Sequence, residues 1–387
     1  MKTIQIFILA VGLLRGLAIA QPRYVITDLG TLGGTYSYSY GINDGGLVTG
    51  GAATPSQSGG VSQTAFLWSR GHMANLGTLG GPACPDCNSQ AAAASANGNV
   101  AIFSETSNMD PNGEDFCGFG THKQCLAGIW KSGTMTAFPM LGGGQNSQAY
   151  WVNNKGETIG FSENGTLDAT CGVPFQVRRF EAVKWAPDGK IQELPPLQGD
   201  TVSFAFGIND SGQAIGVSGI CSNTFIPPLG APSGPHSVLW DKDGRATDLG
   251  ALPGGVNYAA TSINNRGDVV GNVLFADGTV HPFLWTRKGG MQDLGLPPND
   301  FVAVAPCCGT LNNRGDIVGF SCPGPLGTCR AVLLRNQAWL DLNDLAQGSP
   351  MYLLSANSIN DAGQIAGTGL VTSSGEIHAF LASPQDN

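Results

Sequence analysis

The stretch Ile208-Asn209-Asp210-Ser211-Gly212 decides the fold, because it is one copy of a signature that recurs along the chain. In each copy an apolar residue precedes an Asn, and a glycine follows three residues later; one weaker copy has Ser95 in place of the Asn. A repeat of about 50 residues is typical of folds that build one supersecondary unit per copy. The final glycines of the seven copies are Gly46, Gly98, Gly156, Gly212, Gly267, Gly315 and Gly363.

Two further landmarks follow the signature in each unit. The first is an apolar strand that ends in Trp or a substitute, and the second is Asp-Leu-Gly or a relative of it, as in Asp248-Leu249-Gly250. Short β-rich segments separated by Gly, Asn and Asp predict strands and turns. Each unit is therefore predicted to have four strands: A ends at the Asn turn, B follows, C ends in Trp or a substitute, and D carries Asp-Leu-Gly. The Trp residues at the end of strand C are Trp68, Trp130, Trp185, Trp240 and Trp285.

The two ends of the chain predict a closed ring. The chain begins with a D strand, Tyr24 to Leu32, and stops after a C strand at Leu381. The first strand would complete the last sheet, as in a propeller, whereas a linear solenoid would leave both ends unpaired. We therefore expect an all-β, seven-bladed β-propeller with four-stranded blades over residues 21–387, closed by the N-terminal strand.

The composition excludes several classes of protein. Of 387 residues, 57 are Gly and only 12% are charged, yet 42% are hydrophobic, so the chain is neither disordered nor collagen-like. No run of 18 apolar residues follows the N-terminus, which argues against a spanning helix. The net charge of −9 and the lack of a basic patch argue against nucleic-acid binding.

The first twenty residues predict export. Lys2, an apolar stretch from Ile4 to Leu14 and Ala18-Ile19-Ala20 have the layout of a secretory signal peptide over residues 1–20. The mature chain is expected outside the cell or in the periplasm, without membrane insertion.

The ten cysteines favour disulfides, because their number is even and the chain is predicted to be exported. We expect Cys117–Cys125 and Cys322–Cys329, since each pair brackets a single loop. Cys84-Pro85-Asp86-Cys87 has redox-motif spacing, but a structural disulfide is favoured because no helix is predicted there. The other cysteines are Cys171, Cys221, Cys307 and Cys308, whose pairing the sequence leaves open.

These motifs resemble the HAF family of extracellular repeats, named after its His-Ala-Phe signature, which is present here as His378-Ala379-Phe380. Asp28-Leu29-Gly30-Thr31-Leu32-Gly33-Gly34 is also typical of that family. The resemblance covers residues 24–382. It implies a secreted bacterial protein, and it brings no assigned activity.

Metal sites are not expected, and no cofactor is predicted. The Asn turns contain Asp44, Asp210 and Asp361, but a calcium loop needs about six converging oxygens, so turn chemistry is favoured. Three histidines precede strands C of separate units, too far apart for one zinc ion. The strand-C Trp residues are interpreted as packing between blades rather than as platforms for carbohydrate. These histidines are His236, His281 and His378.

The loops predict which face carries function. The A–B and C–D turns are tight, whereas the B–C loops are long and dissimilar, roughly 51–63, 103–126, 161–180, 217–235 and 320–329. All ten cysteines map to the face formed by the B–C and D–A loops, and variable loops on a rigid scaffold commonly carry binding sites. The leading hypothesis is a non-catalytic binding module that engages an extracellular protein or a glycan through this face.

Two alternatives stay open. A lyase or glycosidase would need two acids within about 5–10 Å in a pocket at the channel mouth, although no catalytic motif appears; a third hypothesis is an adhesive or structural surface protein. Aromatic candidates for the upper mouth are Tyr36, Tyr38, Trp151 and Phe204, and the acidic candidates are Glu105, Asp110, Glu114, Asp115, Glu163 and Asp168.

Overall fold

A computed structural model describes residues 23–56, 61–172, 176–224, 233–324 and 327–385. These residues form an all-β structure of short, mostly antiparallel strands, as the repeat predicts. Within these ranges the helical segments are α1 (Leu342–Leu345) and two single 3-10 turns, Gly81–Ala83 and Cys221–Asn223. None of the helices described is long and apolar enough to cross a membrane. The predicted signal peptide, residues 1–20, lies outside the described residues.

The strands form sets of four in the predicted order from A to D, consecutive along the chain except in the last set, whose D strand is β1. The first four sets are β2 (Ser37–Ile42), β3 (Val48–Pro55), β4 (Val61–Ser69), β5 (His72–Gly77); β6 (Ser89–Ala94), β7 (Val100–Met109), β8 (Lys123–Lys131), β9 (Thr134–Ala137); β10 (Ser147–Val152), β11 (Thr158–Leu167), β12 (Arg178–Trp185), β13 (Ile191–Leu194); and β14 (Val202–Ile208), β15 (Ala214–Gly219), β16 (His236–Trp240), β17 (Ala246–Asp248). The later sets are β18 (Gly255–Ile263), β19 (Val269–Phe275), β20 (Val280–Thr286), β21 (Gly290–Asp293); β22 (Val302–Val304), β23 (Ile317–Cys322), β24 (Arg330–Arg335), β25 (Ala338–Asp341); and β26 (Met351–Ile359), β27 (Ile365–Val371), β28 (Ile377–Gln385) with β1 (Arg23–Asp28).

The N-terminal strand β1 is the outer strand of the last sheet. It runs antiparallel to β28, with Asp28 opposite Phe380 and Tyr24 opposite Pro384. The fifth and sixth sets are joined into one eight-stranded sheet by a single parallel pair, Val280 with Val302. The pairing of the first strand with the sheet of Phe380 is the one that the chain ends predict.

A glycine in strand B allows strands A and B to approach closely in six of the seven described sets. A Cβ at Gly216 would collide with the carbonyl oxygen of Phe204 in the neighbouring strand A, which is bulged between Ala205 and Gly207. The same collision arises at the equivalent glycines of five other sets, Gly50, Gly160, Gly271, Gly319 and Gly367. The glycine in the Leu-Val-Thr-Gly type of strand B is therefore required by close backbone approach at a bulge.

Candidate functional site

The Asn turns at the end of the inner strands are closed by their own side chains. Asn209 Oδ1 accepts hydrogen bonds from the N–H groups of Ser211 and Gln213, both at 3.1 Å. Asn153, Asn264 and Asn312 accept the same two bonds within their turns. This geometry agrees with turn chemistry. In the described part of the chain, no group of three His, Cys, Asp or Glu could hold a metal ion.

Each turn is also bonded to its neighbour through the Asn side-chain amide. Asn209 Nδ2 donates to the carbonyl of Asn264 at 3.1 Å, and Asn360 Nδ2 donates to that of Asn43 at 3.0 Å. In the second set, where Ser95 replaces the Asn, the link is made by the Ala96 N–H, which donates to Asn154 Oδ1 at 3.1 Å. The remaining links are Asn43 to Ser95, Asn153 to Asn209, Asn264 to Asn312 and Asn312 to Asn360.

The residue after each Asn forms a second row of links. Asp44 Oδ1 accepts from the N–H of Asp361 at 2.9 Å, and Asp210 Oδ1 accepts from the N–H of Asn154 at 2.9 Å. The two rows link neighbouring turns into a polar collar, which we call the turn collar (residues 43–44, 95–96, 153–154, 209–210, 264–265, 312–313 and 360–361).

The turn collar surrounds a cavity of about 120 Å³, which we call the mouth cavity. Below the collar it is lined by Trp151 and Gly309, among others, and a Cβ at Gly309 would collide with the Trp151 ring. Among the described residues, no Lys, Arg or His lines this cavity. Trp151, predicted as a binding residue for the loop face, therefore reaches a cavity on the opposite, A–B turn face.

Replacing Asn209 with alanine is expected to lower the free energy of unfolding by about 2–3 kcal/mol, because it leaves buried main-chain groups of two turns without partners. Asn209 is only 3% exposed. Urea unfolding measures the change. The control is Asp188→Ala in an exposed turn, for which less than about 0.5 kcal/mol is expected. Equal losses in the two variants would show that the collar adds no stability.

Three of the acidic candidates come together in a buried cluster. Asn146 Nδ2 donates to Asp110 Oδ2 at 2.8 Å and to Glu163 Oε2 at 3.2 Å. The N–H of Asn146 also donates to Glu163 Oε2, at 2.9 Å. Glu114 accepts from the N–H of Val177 and is hydrogen-bonded to Glu163. The cluster joins the loop of residues 110–121 to strand β11 and to the loop after it.

The paired carboxyls of Glu114 and Glu163 hold a proton between them. Burial raises the pKa of both, and the charge of Glu114 contributes to the rise for Glu163, which reaches about 8. Two carboxylates this close do not both ionise at neutral pH. Both side chains are fully buried. The two carboxyls therefore contact each other but are not exposed in a pocket.

The other acidic candidates have separate structural partners. Glu105 accepts from the main-chain N–H and the Nδ2 of Asn88 at 2.7 and 2.9 Å and is fully buried. Asp168 forms an ion pair with Arg179 at 3.0 Å; burial opposes ionisation, but its hydrogen bonds lower its pKa. Asp115, half-buried, accepts from Gly120. These contacts correct the expectation of a ligand-accessible acidic edge, because most of these acids hold loops together.

The aromatic candidates lie in different environments. Phe204 is fully buried, 4.2 Å from Phe161 between ring centroids, so it is a core residue and not a ligand contact. Tyr36 and Tyr38 are half-buried and stacked with centroids 6.4 Å apart. The Tyr38 hydroxyl donates to Gln90 at 2.7 Å, and burial raises its pKa.

All ten cysteines form disulfides. The predictions Cys117–Cys125 and Cys322–Cys329 are confirmed. Cys84–Cys87 is also a disulfide. Cys171–Cys221 joins the B–C loops of the third and fourth sets, which spacing alone does not indicate. Cys307–Cys308 is buried in the core beside Gly309 instead of lying at the rim.

The three histidines before strand C each pair with the Asp of the neighbouring D strand, so they serve three separate contacts. This contact was missed in the sequence, although His and Asp-Leu-Gly recur at fixed spacing. One pair, His378 with Asp28, joins β28 to β1. The Nδ1-to-carboxylate distances are 3.3 Å for His236–Asp248, 2.9 Å for His281–Asp293 and 2.9 Å for His378–Asp28.

Comparison with known proteins shows the fold but no family. No protein-family model matches the chain, and no curated protein matches it. The chain is similar to puromycin hydrolase, with a TM-score of 0.55 and 13% identity over 92% of this chain and 55% of that chain. It is also similar to virginiamycin B lyase from Staphylococcus aureus, with a TM-score of 0.50 and 13% identity over 92% of this chain and 99% of that chain.

A puromycin-hydrolyzing peptidase from Mycobacterium tuberculosis is a further similar structure, with a TM-score of 0.51 and 12% identity over 92% of this chain and 52% of that chain. The chain thus spans about half the length of the puromycin hydrolases. The likeness shows a β-propeller-like, all-β fold, and the activities of those proteins do not transfer at this identity.

Exposed apolar side chains are concentrated on the B–C/D–A loop face. The described residues include five large hydrophobic side chains that are exposed, and four of them lie on this face. Met109 and Leu167 end the equivalent strands β7 and β11 and are 63% and 68% exposed, while Val256 and Phe301 lie at or just before the start of strands A. The fifth, Val25, lies on the edge strand β1.

Proposed function

We propose that the chain is an exported, seven-bladed β-propeller of the HAF repeat type, closed by β1, that binds an extracellular protein through its B–C/D–A loop face without catalysing a reaction. The pairing of β1 with β28 supports closure, and so does the bond from Asn360 in the last sheet to Asn43 in the first. The described disulfides support an oxidising environment outside the cytoplasm, periplasmic or extracellular.

The positions of the exposed apolar side chains are the main support for this choice of face and partner. Scattered apolar residues are common on protein surfaces, but here four of the five that are described share one face. Met109 and Leu167 occupy equivalent positions at the tips of two adjacent hairpins. Cys117–Cys125 and Cys171–Cys221 hold the loops around them. A rigid face with protruding apolar side chains suits a protein partner, because little ordering is needed on binding.

Burial of the acids favours binding over catalysis. A lyase or glycosidase needs carboxyls that contact substrate. Glu105, Glu114 and Glu163 have no exposed surface. Their hydrogen bonds instead hold the loops that would form the binding face.

The test is binding of the mature protein to an array of purified extracellular proteins and glycans, repeated with the double variant Met109→Glu/Leu167→Glu. We expect binding to a protein on the array, weakened about tenfold or more by the double variant, because apolar anchors dominate such interfaces.

The matched control is Val25→Glu, which places the same charge on the exposed apolar residue outside this face. It should bind as the parent does. Undiminished binding by the double variant would reject this face. Binding to glycans alone would reject the protein partner, and turnover of a bound molecule would reject the non-catalytic role.

A further inference from the structure

The mouth cavity lies on the face opposite the proposed protein-binding face and shares no residue with it. Its ligand chemistry is therefore independent of the proposed function. The turn collar forms its rim, and Trp151 contributes the aromatic part of its lining.

The collar leaves a definite set of polar groups for a ligand. Asn154, Asn265 and Asn313 each use one side-chain N–H, donating to a neighbouring Asp at 3.1, 2.9 and 2.7 Å. Their second N–H has no hydrogen-bond partner in the described structure. Asp44 uses Oδ1 for the N–H of Asp361, and its Oδ2 accepts no hydrogen bond from the described residues. The rim thus offers three free N–H donors and one free carboxylate oxygen to a ligand.

This pattern discriminates between ligand classes. The carboxylates of Asp44, Asp210 and Asp361 take part in no described ion pair and would repel an anion. An ammonium group would leave the amide donors unpaired. Hydroxyl groups both donate and accept, and the C–H face of a sugar ring can pack on the indole of Trp151. The cavity therefore fits a neutral saccharide.

A second, larger groove of about 440 Å³ begins at the same rim. Asp44 lines both spaces. The groove runs between the last and first sheets, with Gly45 and Gly46 on one side, and Arg70 and Gln364 provide planar polar groups. Its volume is within the range of ordinary ligand sites. A ligand longer than one sugar would continue into it.

We propose that the mouth cavity binds the terminal unit of a neutral oligosaccharide, whose following units lie in the groove lined by Arg70 and Gln364. Trp151 packs against the terminal ring, and Asp44 bonds to hydroxyl groups at the junction of the two spaces.

The experiment measures binding of glucose and N-acetylglucosamine, and of their di- and trisaccharides cellobiose, cellotriose, maltose, maltotriose, chitobiose and chitotriose, by saturation-transfer NMR and calorimetry. We expect at least one series to bind, and its trisaccharide to bind more tightly than its monosaccharide. Asp44→Ala should weaken both about tenfold, because it removes hydrogen bonds to a charged acceptor. Arg70→Ala should weaken the trisaccharide and leave the monosaccharide unchanged.

The control Asp188→Ala removes an exposed carboxylate on the same face but outside both spaces, and should bind as the parent does. Because Asp44 accepts a collar hydrogen bond, thermal melting of each variant checks that the fold is intact. The proposal is overturned if no sugar of the panel binds, if Asp44→Ala binds unchanged, or if tetramethylammonium or inorganic phosphate binds instead of the sugars.

Discussion

Tyr24→Ala is expected to lower the free energy of unfolding by about 3–5 kcal/mol, the cost of removing a buried aromatic side chain. Tyr24 is 5% exposed and belongs to a core cluster between the sixth and last sheets that includes Leu333, Ile365 and Phe380. Strand β1 is the segment that brings the start of the chain to the last sheet. Loss of Tyr24 should therefore weaken the contact between β1 and the rest of this sheet, and urea unfolding measures the change.

The adjacent residue provides the control. Val25 points to the other side of β1 and is 48% exposed, so Val25→Ala should change stability by less than about 0.5 kcal/mol. Hydrogen exchange at the amides of β28 should also become faster in Tyr24→Ala and not in Val25→Ala, because β1 is their hydrogen-bonded neighbour. Equal stability of the two variants, with unchanged exchange in β28, would show that β1 is not needed to close the last sheet.

The four-stranded sets were predictable because the residues that define them act locally. An Asn followed by a glycine closes its own turn, and a strand-B glycine opposite a bulge is required by one backbone contact. Cys117–Cys125 and Cys322–Cys329 were predictable for the same reason. Cys171–Cys221 was not, since it depends on how two loops from different sets lie together.

The burial of the acids was missed although the sequence holds a signal for it. Phe103-Ser104-Glu105 recurs one unit later as Phe161-Ser162-Glu163. Each Glu accepts hydrogen bonds from the main chain and side chain of the Asn directly before strand A of the same set, Asn88 in one set and Asn146 in the other. A repeated Glu is therefore part of the scaffold, whereas the sequence alone makes these acids candidates for a functional site. The mouth cavity was missed because its polar groups come from separate turns that meet only in the folded chain.

Glu163→Gln is expected to remove a contribution on the order of a few kcal/mol to the pH dependence of stability. The pKa of Glu163 is raised to about 8 by burial and by the charge of Glu114, whereas a glutamate in the unfolded chain has a pKa of about 4.3. At a pH between these two pKa values, Glu163 of the folded protein holds a proton that the unfolded chain has released. Stability should therefore fall as the pH rises through this window, by at most about 1.4 kcal/mol per pH unit for one proton.

The variant should be more stable than the parent above about pH 8 and similar to it near pH 4.5, as measured by urea unfolding across this range. Glu181→Gln is the matched control, because the pKa of Glu181 is also raised, to about 7, by burial and by Glu193 on the neighbouring strand. Both variants should flatten the stability profile. In the parent, proteolysis within residues 110–121 is expected to increase as the pH rises and Glu114 and Glu163 both ionise. Only Glu163→Gln should abolish this increase, because Glu114 on that loop then loses its repulsive partner. If Glu181→Gln protected the loop equally, or if Glu163→Gln kept the full pH slope, the shared proton would not be what fastens this loop to the propeller.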